Sequence, residues 1–391
     1  MRVVTEVVAR GGFVVGLVIA CFACERQGGP RDAGASRLAS RALPGTEREA
    51  LAVVEELRFG LRDPDGAYYV ARIFSFEVDN GGKLWVLDGQ AQLIRVFDAD
   101  GRLVRTVGRR GSGPGEFRQA VRIERGPDGH LWVTDPGNAR LTVLDTTGTF
   151  VRAVNVPLGC FSLPWPGRFG VDGRYMTLGG ANCESLLRFD TSFQVGDTLP
   201  VPSDQREPEY FVHEAPSGRI RAEVPFHGSL VWRLSKRGTV WALLTGDYLL
   251  SELGASGNTV RTVTHEFTRA SVSDADHEFA RRELQWFESQ GGRIDWSRLP
   301  RSRPPIIGFF VADDGALWVE RWPRPDSIGR VFDVLDDKGE FRSRVILPFA
   351  LARVPTDPIV RDGLLYAVTA DSSGREFVVR SRLVIGRTTQ R

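Results

Sequence analysis

Gly82-Lys83-Leu84-Trp85-Val86-Leu87-Asp88 and Gly129-His130-Leu131-Trp132-Val133-Thr134-Asp135 match at an offset of 47 residues. The same offset carries Phe97-Asp98-Ala99-Asp100-Gly101 onto Leu144-Asp145-Thr146-Thr147-Gly148. Two matches at one offset define a repeat, and a repeat overrides any domain count drawn from length. Each unit holds a glycine turn, a strand with an aromatic three residues past the glycine, a break, and a second strand ending in a polar turn. The pattern returns at Arg237-Gly238 with Trp241, at Asp314-Gly315 with Trp318 and at Asp362-Gly363 with Tyr366. A weaker copy lies at Asp172-Gly173, where Met176 takes the aromatic position beside Tyr175. Six units result.

A turn glycine supplies positive φ, and the apolar run after it builds a strand with alternate side chains facing a neighbouring sheet. One small four-stranded sheet cannot bury both faces, so the units must stack around an axis. A helical repeat is excluded because the apolar runs alternate, or last only five to six residues, without a 3.6 period. The expected fold is therefore all-β, a six-bladed β-propeller with four-stranded blades spanning residues 51–385. Glycine spacings of 47, 44, 65, 77 and 48 place insertions near 200–226, expected as a long loop, and near 268–303. In the second, Ser273 can cap a helix, Asp274 and Asp276 suit its positive end, and Gly291-Gly292 its stop. Phe279, Ala280, Leu284, Trp286 and Phe287 give that helix an apolar side, expected to lie on the propeller between the fourth and fifth units. The last unit is one strand short, and Val53–Phe59 can complete it, so that the head of the chain fastens its tail.

The connection Gly108-Arg109-Arg110-Gly111-Ser112-Gly113-Pro114-Gly115-Glu116-Phe117, followed by Gly126–Asp135, Asn138, Arg140-Leu141 and Val143, resembles NHL-repeat six-bladed propellers. The match is close over residues 74–154 and architectural from about 155 to 385. The resemblance implies that Asp135, Asn138 and Arg140 lie at the loop between the second and third strands, pairing with each other and with backbone groups. The Asp135 position is occupied by Asp88, Gly179, Leu244, Arg321 and Thr369 in the other units, so only two of six carry the acid.

Arg2 and Arg10 precede a short apolar stretch, Phe13–Ala20, too short to cross a bilayer and shaped like an export signal. Val18-Ile19-Ala20-Cys21 resembles the lipobox of bacterial lipoproteins, which implies lipidation at Cys21. Residues 1–20 then read as a signal peptide, 21–50 as a flexible tether rich in Gly, Arg, Ala, Ser and Pro, and 386–391 as a C-terminal tail. The place implied is the bacterial cell envelope, lipid-anchored on the periplasmic or extracellular side. Cys160 and Cys183 form a disulfide candidate in such a compartment, with two free buried thiols as the alternative.

The chain has 391 residues, 42% hydrophobic and 26% charged, which excludes disorder as its main state. Lys+Arg 51 against Asp+Glu 49 leaves a charge of +2, too balanced for a nucleic-acid footprint. No His-Glu-x-x-His, Gly-x-Ser-x-Gly or Walker loop is present, and Gly111–Gly115 is no phosphate cradle, since Pro114 lacks an N–H and no helix follows. Asp313-Asp314 and Asp336-Asp337 read as solvated turns. His130 and His277 read as solvated, whereas His213 and His227 in the first insertion are weak metal candidates. Loops on one face of the ring would carry Arg109, Arg110, Glu116, Asp135, Asn138 and Arg321 as a binding face. The functional expectation is a binding or scaffolding module for a protein, peptide or glycan, without cofactor. The alternative is a metal-dependent lyase or hydrolase using the central channel.

Overall fold

The six signature glycines occupy the left-handed region, with φ of 77° at Gly82, 76° at Gly129, 83° at Gly173, 76° at Gly238, 93° at Gly315 and 72° at Gly363. Each turn that opens a repeat thus needs a residue without Cβ. The computed structural model describes residues 51–60, 70–162, 165–203, 209–216, 218–322, 329–352 and 354–384. It gives backbone alone for 5–8, 18–19, 36–39, 50, 385 and 386. Cys21, most of the signal and tether segments, and residues 387–391 lie outside the described residues.

Blade 1 comprises Ile73–Val78, Leu84–Asp88, Leu93–Phe97 and Leu103–Val107. Blade 2 follows with Arg122–Arg125, Leu131–Asp135, Arg140–Leu144 and Phe150–Asn155. Arg168–Phe169, Tyr175–Gly179, Ser185–Phe189 and Val195–Pro200 form blade 3. Leu230–Leu234, Val240–Leu244, Leu249–Leu253 and Thr259–Thr264 form blade 4. Blade 5 is Ile306–Val311, Leu317–Arg321, Arg330–Leu335 and Phe341–Leu347. Blade 6 takes Ile359–Arg361, Leu364–Ala370 and Glu376–Gly386 from the end of the chain, and its fourth strand, Ala50–Phe59, from the beginning. That closing strand is antiparallel to Glu376–Gly386, with Val378 opposite Phe59 and Gly386 opposite Ala50.

The core is a series of interfaces. One apolar cluster joins blades 1 and 2 through Trp85, Val107, Ile123 and Leu131, and further clusters join blades 2 to 3, 3 to 4, 4 to 5 and 5 to 6. A sixth closes the ring, packing Phe59, Tyr366 and Val378 of blade 6 against Ile73, Phe76 and Phe97 of blade 1. The signature aromatic belongs to these seams: Trp85 is 1% exposed and Tyr175 0%.

The insertions differ from expectation in one respect. The first is a β-hairpin, Tyr210–Ala215 paired with Gly218–Glu223, rather than a long loop. Alternation explains it: Phe211, Ile220 and Ala222 share a buried face that needs a cover. The cover is the helix Asp274–Ser289 from the second insertion, whose Leu284 and Phe287 pack on that face. The helix therefore lies on the hairpin, reaching the ring where Phe279 and Phe226 meet Trp322. Its start is a capping box, Ser273 accepting from the Asp276 N–H and Asp276 accepting from the Ser273 N–H. Gly291, at φ 91°, follows its end.

Candidate functional site

Two loops on the face of the inter-blade connections hold most of the residues singled out from sequence. Within Gly108–Phe117, Arg109 Nε donates to Glu116 Oε1 at 2.7 Å and the Gly113 N–H donates to Glu116 Oε2 at 2.8 Å. The Gly113 amide first, and Arg109 second, hold the Glu116 carboxyl below its usual range. Arg110 donates to the Gln90 carbonyl at 2.7 Å. Asp135 is 0% exposed and accepts from the Arg118 N–H (2.9 Å), the Gln119 N–H (2.8 Å) and Asn138 Nδ2 (2.7 Å). Asn138 also donates to the Gly111 carbonyl at 3.1 Å, and Arg140 to the carbonyls of Ser112, Gly113 and Glu116. Asp135, Asn138 and Arg140 thus clamp the connection through its backbone; Arg109 and Arg110 remain exposed.

Arg321, at the Asp135 position of blade 5, donates to the buried Asp333 at 2.8 Å. Asp88, at that position in blade 1, accepts from Arg95 at 2.7 Å. Arg95 faces Val86 and Asp333 faces Val319, equivalent register positions, so the two blades hold the same ion pair with its charges exchanged. Asp333 also accepts from Tyr248 Oη at 3.0 Å and Arg344 Nε at 2.8 Å.

Sequence reasoning missed the centre of the ring. Opposite the six signature residues, on the innermost strands, stand Glu77, Glu124, Arg168, Arg233, Phe310 and Ile359. Four of the six are charged. Arg122, Lys236, Asp313, Asp357 and Arg361 join them along a channel to which every blade contributes. Glu77 pairs with Arg361 at 2.9 Å, Asp313 with Lys236 at 2.6 Å, and Arg361 Nε donates to Asp313 at 2.6 Å. Asp357 accepts from Arg233 Nε at 3.0 Å and Nη2 at 3.3 Å. Asp313 is therefore a channel residue and not the solvated turn acid read from Asp313-Asp314. Burial pushes its carboxyl up, but Lys236 and Arg361 outweigh burial and leave it below its ordinary value. Burial lowers the Lys236 ammonium, and burial raises the Glu124 carboxyl against the pull of Arg122 and Arg168.

At the end of the channel where the innermost strands begin lies a cavity of about 230 Å3, lined by Arg122, Trp165, Arg168, Trp232, Arg233 and Asp357 among others. His213 and His227 do not line it. The His213 ring stands edge-on to Phe287, and His227 Nε2 lies 3.7 Å from Glu209. Among the described residues no three His, Cys, Asp or Glu side chains converge in metal-binding geometry. Cys160 and Cys183 are disulfide-bonded, their Cα atoms 5.5 Å apart, tying the blade 2 to blade 3 connection to the neighbouring turn of blade 3. No helix among the described residues is long and apolar enough to cross a membrane.

Sheets, seams and closure define an all-β propeller of six blades. A family model described as a 6-bladed beta-propeller matches residues 70–160. The chain is 27% identical over 172 residues to NHL repeat-containing protein 3 of Mus musculus, covering 38% of this chain and 49% of that one. To the Homo sapiens protein of the same name it is 30% identical over 115 residues, covering 28% and 32%. The chain thus spans half or less of the length of these relatives. A solved structure from Bacteroides vulgatus superposes with TM-score 0.48 at 12% identity, covering 87% of this chain and 100% of that one. Virginiamycin B lyase of Staphylococcus aureus gives TM-score 0.42 at 12% identity, covering 84% and 99%.

Proposed function

We propose that this chain is a binding or scaffolding propeller of the bacterial cell envelope, anchored by a lipid on Cys21. It recognises a protein, peptide or glycan through the face of its inter-blade connections. One observation carries the reading. The connections on either side of blade 4 are both enlarged, and their additions pack into one module with its own apolar core of Phe211, Ile220, Ala222, Val224, Leu284 and Phe287. Both connections lead into the starts of innermost strands, so the module rises beside the channel mouth, and Arg109 and Arg110 sit on the same face. A rigid ring carrying an elaborated rim is suited to recognition.

Peptide and glycan arrays probed with the purified full chain test this. The expected result is a reproducible ligand class whose binding falls with Arg109→Ala and Arg110→Ala together. A stoichiometric divalent metal, lost with His213→Ala or His227→Ala, would overturn it in favour of lyase or hydrolase chemistry. Anchoring is read separately: Cys21→Ser should move the chain from the membrane to the soluble envelope fraction, and retention in the membrane refutes the lipid.

A further inference from the structure

We propose that the axial cavity is a seat for a single oxyanion group, carboxylate or phosphate, with the Arg122 guanidinium as its principal ligand. This rests on the binding reading and names the chemistry of its axial part. Three arginines and one carboxylate line the cavity, and the carboxylate, Asp357, is already engaged by Arg233 through two nitrogens. Arg168 is engaged as well, donating to the Leu234 carbonyl at 3.2 Å and to Asp313 at 3.4 Å.

Arg122 is different. Its side chain is 22% exposed, its nearest acid is Glu124 at 3.7 Å, and among the described residues it donates no hydrogen bond. Burial also raises the Glu124 carboxyl, which weakens it as a counter-ion. A largely buried cation with so loose a partner is costly, and a planar guanidinium finds its best partner in a carboxylate or phosphate. A cavity of about 230 Å3 falls below the 300–1,000 Å3 usual for drug-sized ligands. It therefore fits a small anion, or one acidic end-group of a larger partner held on the rim. Trp232, half-buried in the same wall, offers an apolar surface to whatever follows the acid.

The test is calorimetric titration of the full chain with sodium phosphate and, separately, sodium succinate, at fixed ionic strength so that screening is constant. One saturable site is expected for at least one probe, and which probe saturates tells phosphate from carboxylate. Arg122→Gln should weaken that binding by roughly ten- to a hundredfold, the loss of a charge-assisted hydrogen bond or two. Arg109→Ala should leave it unchanged. Asp357→Asn, which frees Arg233 toward the cavity, should tighten it, so that the inference stays exposed even if Arg122→Gln fails to fold. Saturation by neither probe, wild-type binding in Arg122→Gln, or unchanged or weaker binding in Asp357→Asn overturns it. If array ligands still bind through Arg109 and Arg110 while phosphate and succinate do not, only the axial inference falls.

Discussion

Asp135 and Arg109 lie within one loop system, yet their energetic weights are opposite. Replacing Asp135 with Ala leaves two backbone N–H groups and the Asn138 amide without their acceptor in a site that is 0% exposed. The expected loss is about 3 kcal/mol or more, the cost of stranded buried donors. Arg109→Ala, in a side chain 81% exposed, should change stability by no more than about 0.5 kcal/mol. Chemical denaturation of the two variants checks the contrast, and similar losses would refute the clamp. The turn aspartates make a second prediction. The Thr147 hydroxyl holds Asp145 below its usual value, the Gln194 amide does the same for Asp190, and the Ser373 hydroxyl for Asp371. Carboxyls depressed in the folded state stabilise fully above their unfolded value near 3.9, and that contribution fades as pH falls through the lower folded values. Burial raises Glu124, Glu320 and Glu376, with the opposite sign: stability rises as pH falls from neutral through their raised values. Changing Asp145, Asp190 and Asp371 together to Asn should therefore soften the acid-side drop in Tm and leave the neutral limb in place. An unaltered acid limb would count against the turn bonds.

Among elements, the module of hairpin and helix is the one with a core of its own, and Phe287, 0% exposed, sits in that core. Phe287→Ala should cost about 3–5 kcal/mol locally. Proteolysis should then cut first between residues 204 and 300 while the six blades resist, whereas a simultaneous loss of blades would tie the module to the ring. The helix was legible in sequence because Ser273, the acids behind it and Gly291 are local signals. The hairpin was not, because its pairing makes sense only beside a helix that follows it by some 50 residues. The same reason hid the channel. Its ion pairs join residues 145, 124 or 284 positions apart, as in Arg168 with Asp313, Arg233 with Asp357 and Arg361 with Glu77. A signal was nonetheless present: Glu77, Glu124, Arg168 and Arg233 each precede their turn glycine by five residues. Charge recurring at a fixed place in an otherwise apolar repeat marks an axis. The six blades themselves were readable because a turn glycine and its aromatic are neighbours in the chain.

For the whole molecule, five of the six seams join blades that follow one another in sequence, and the sixth joins the two ends of the chain. Phe59 is the residue of the closing strand most fully committed to that sixth seam: it is 1% exposed, and its ring meets Phe97 of blade 1 edge-on at 6.2 Å. Blade 6 and blade 1 are also tied by Glu376, which accepts from the Ile73 N–H at 2.8 Å and pairs with Arg72. Weakening this seam acts differently from weakening any other, because closure over the full length of the chain carries the largest loop entropy and removes the last free edges. Phe59→Ala should cost about 3–5 kcal/mol. Hydrogen exchange should report where the loss is felt. Amides of Leu364–Ala370 and Glu376–Gly386 in blade 6, and of Ile73–Val78 in blade 1, should lose protection before those of Tyr175–Gly179 in blade 3. Phe189→Ala, equally buried in the seam between blades 2 and 3, should not reproduce that order. Uniform loss of protection from both variants would mean that the ring opens as one unit and that the fastening of tail by head has no special weight.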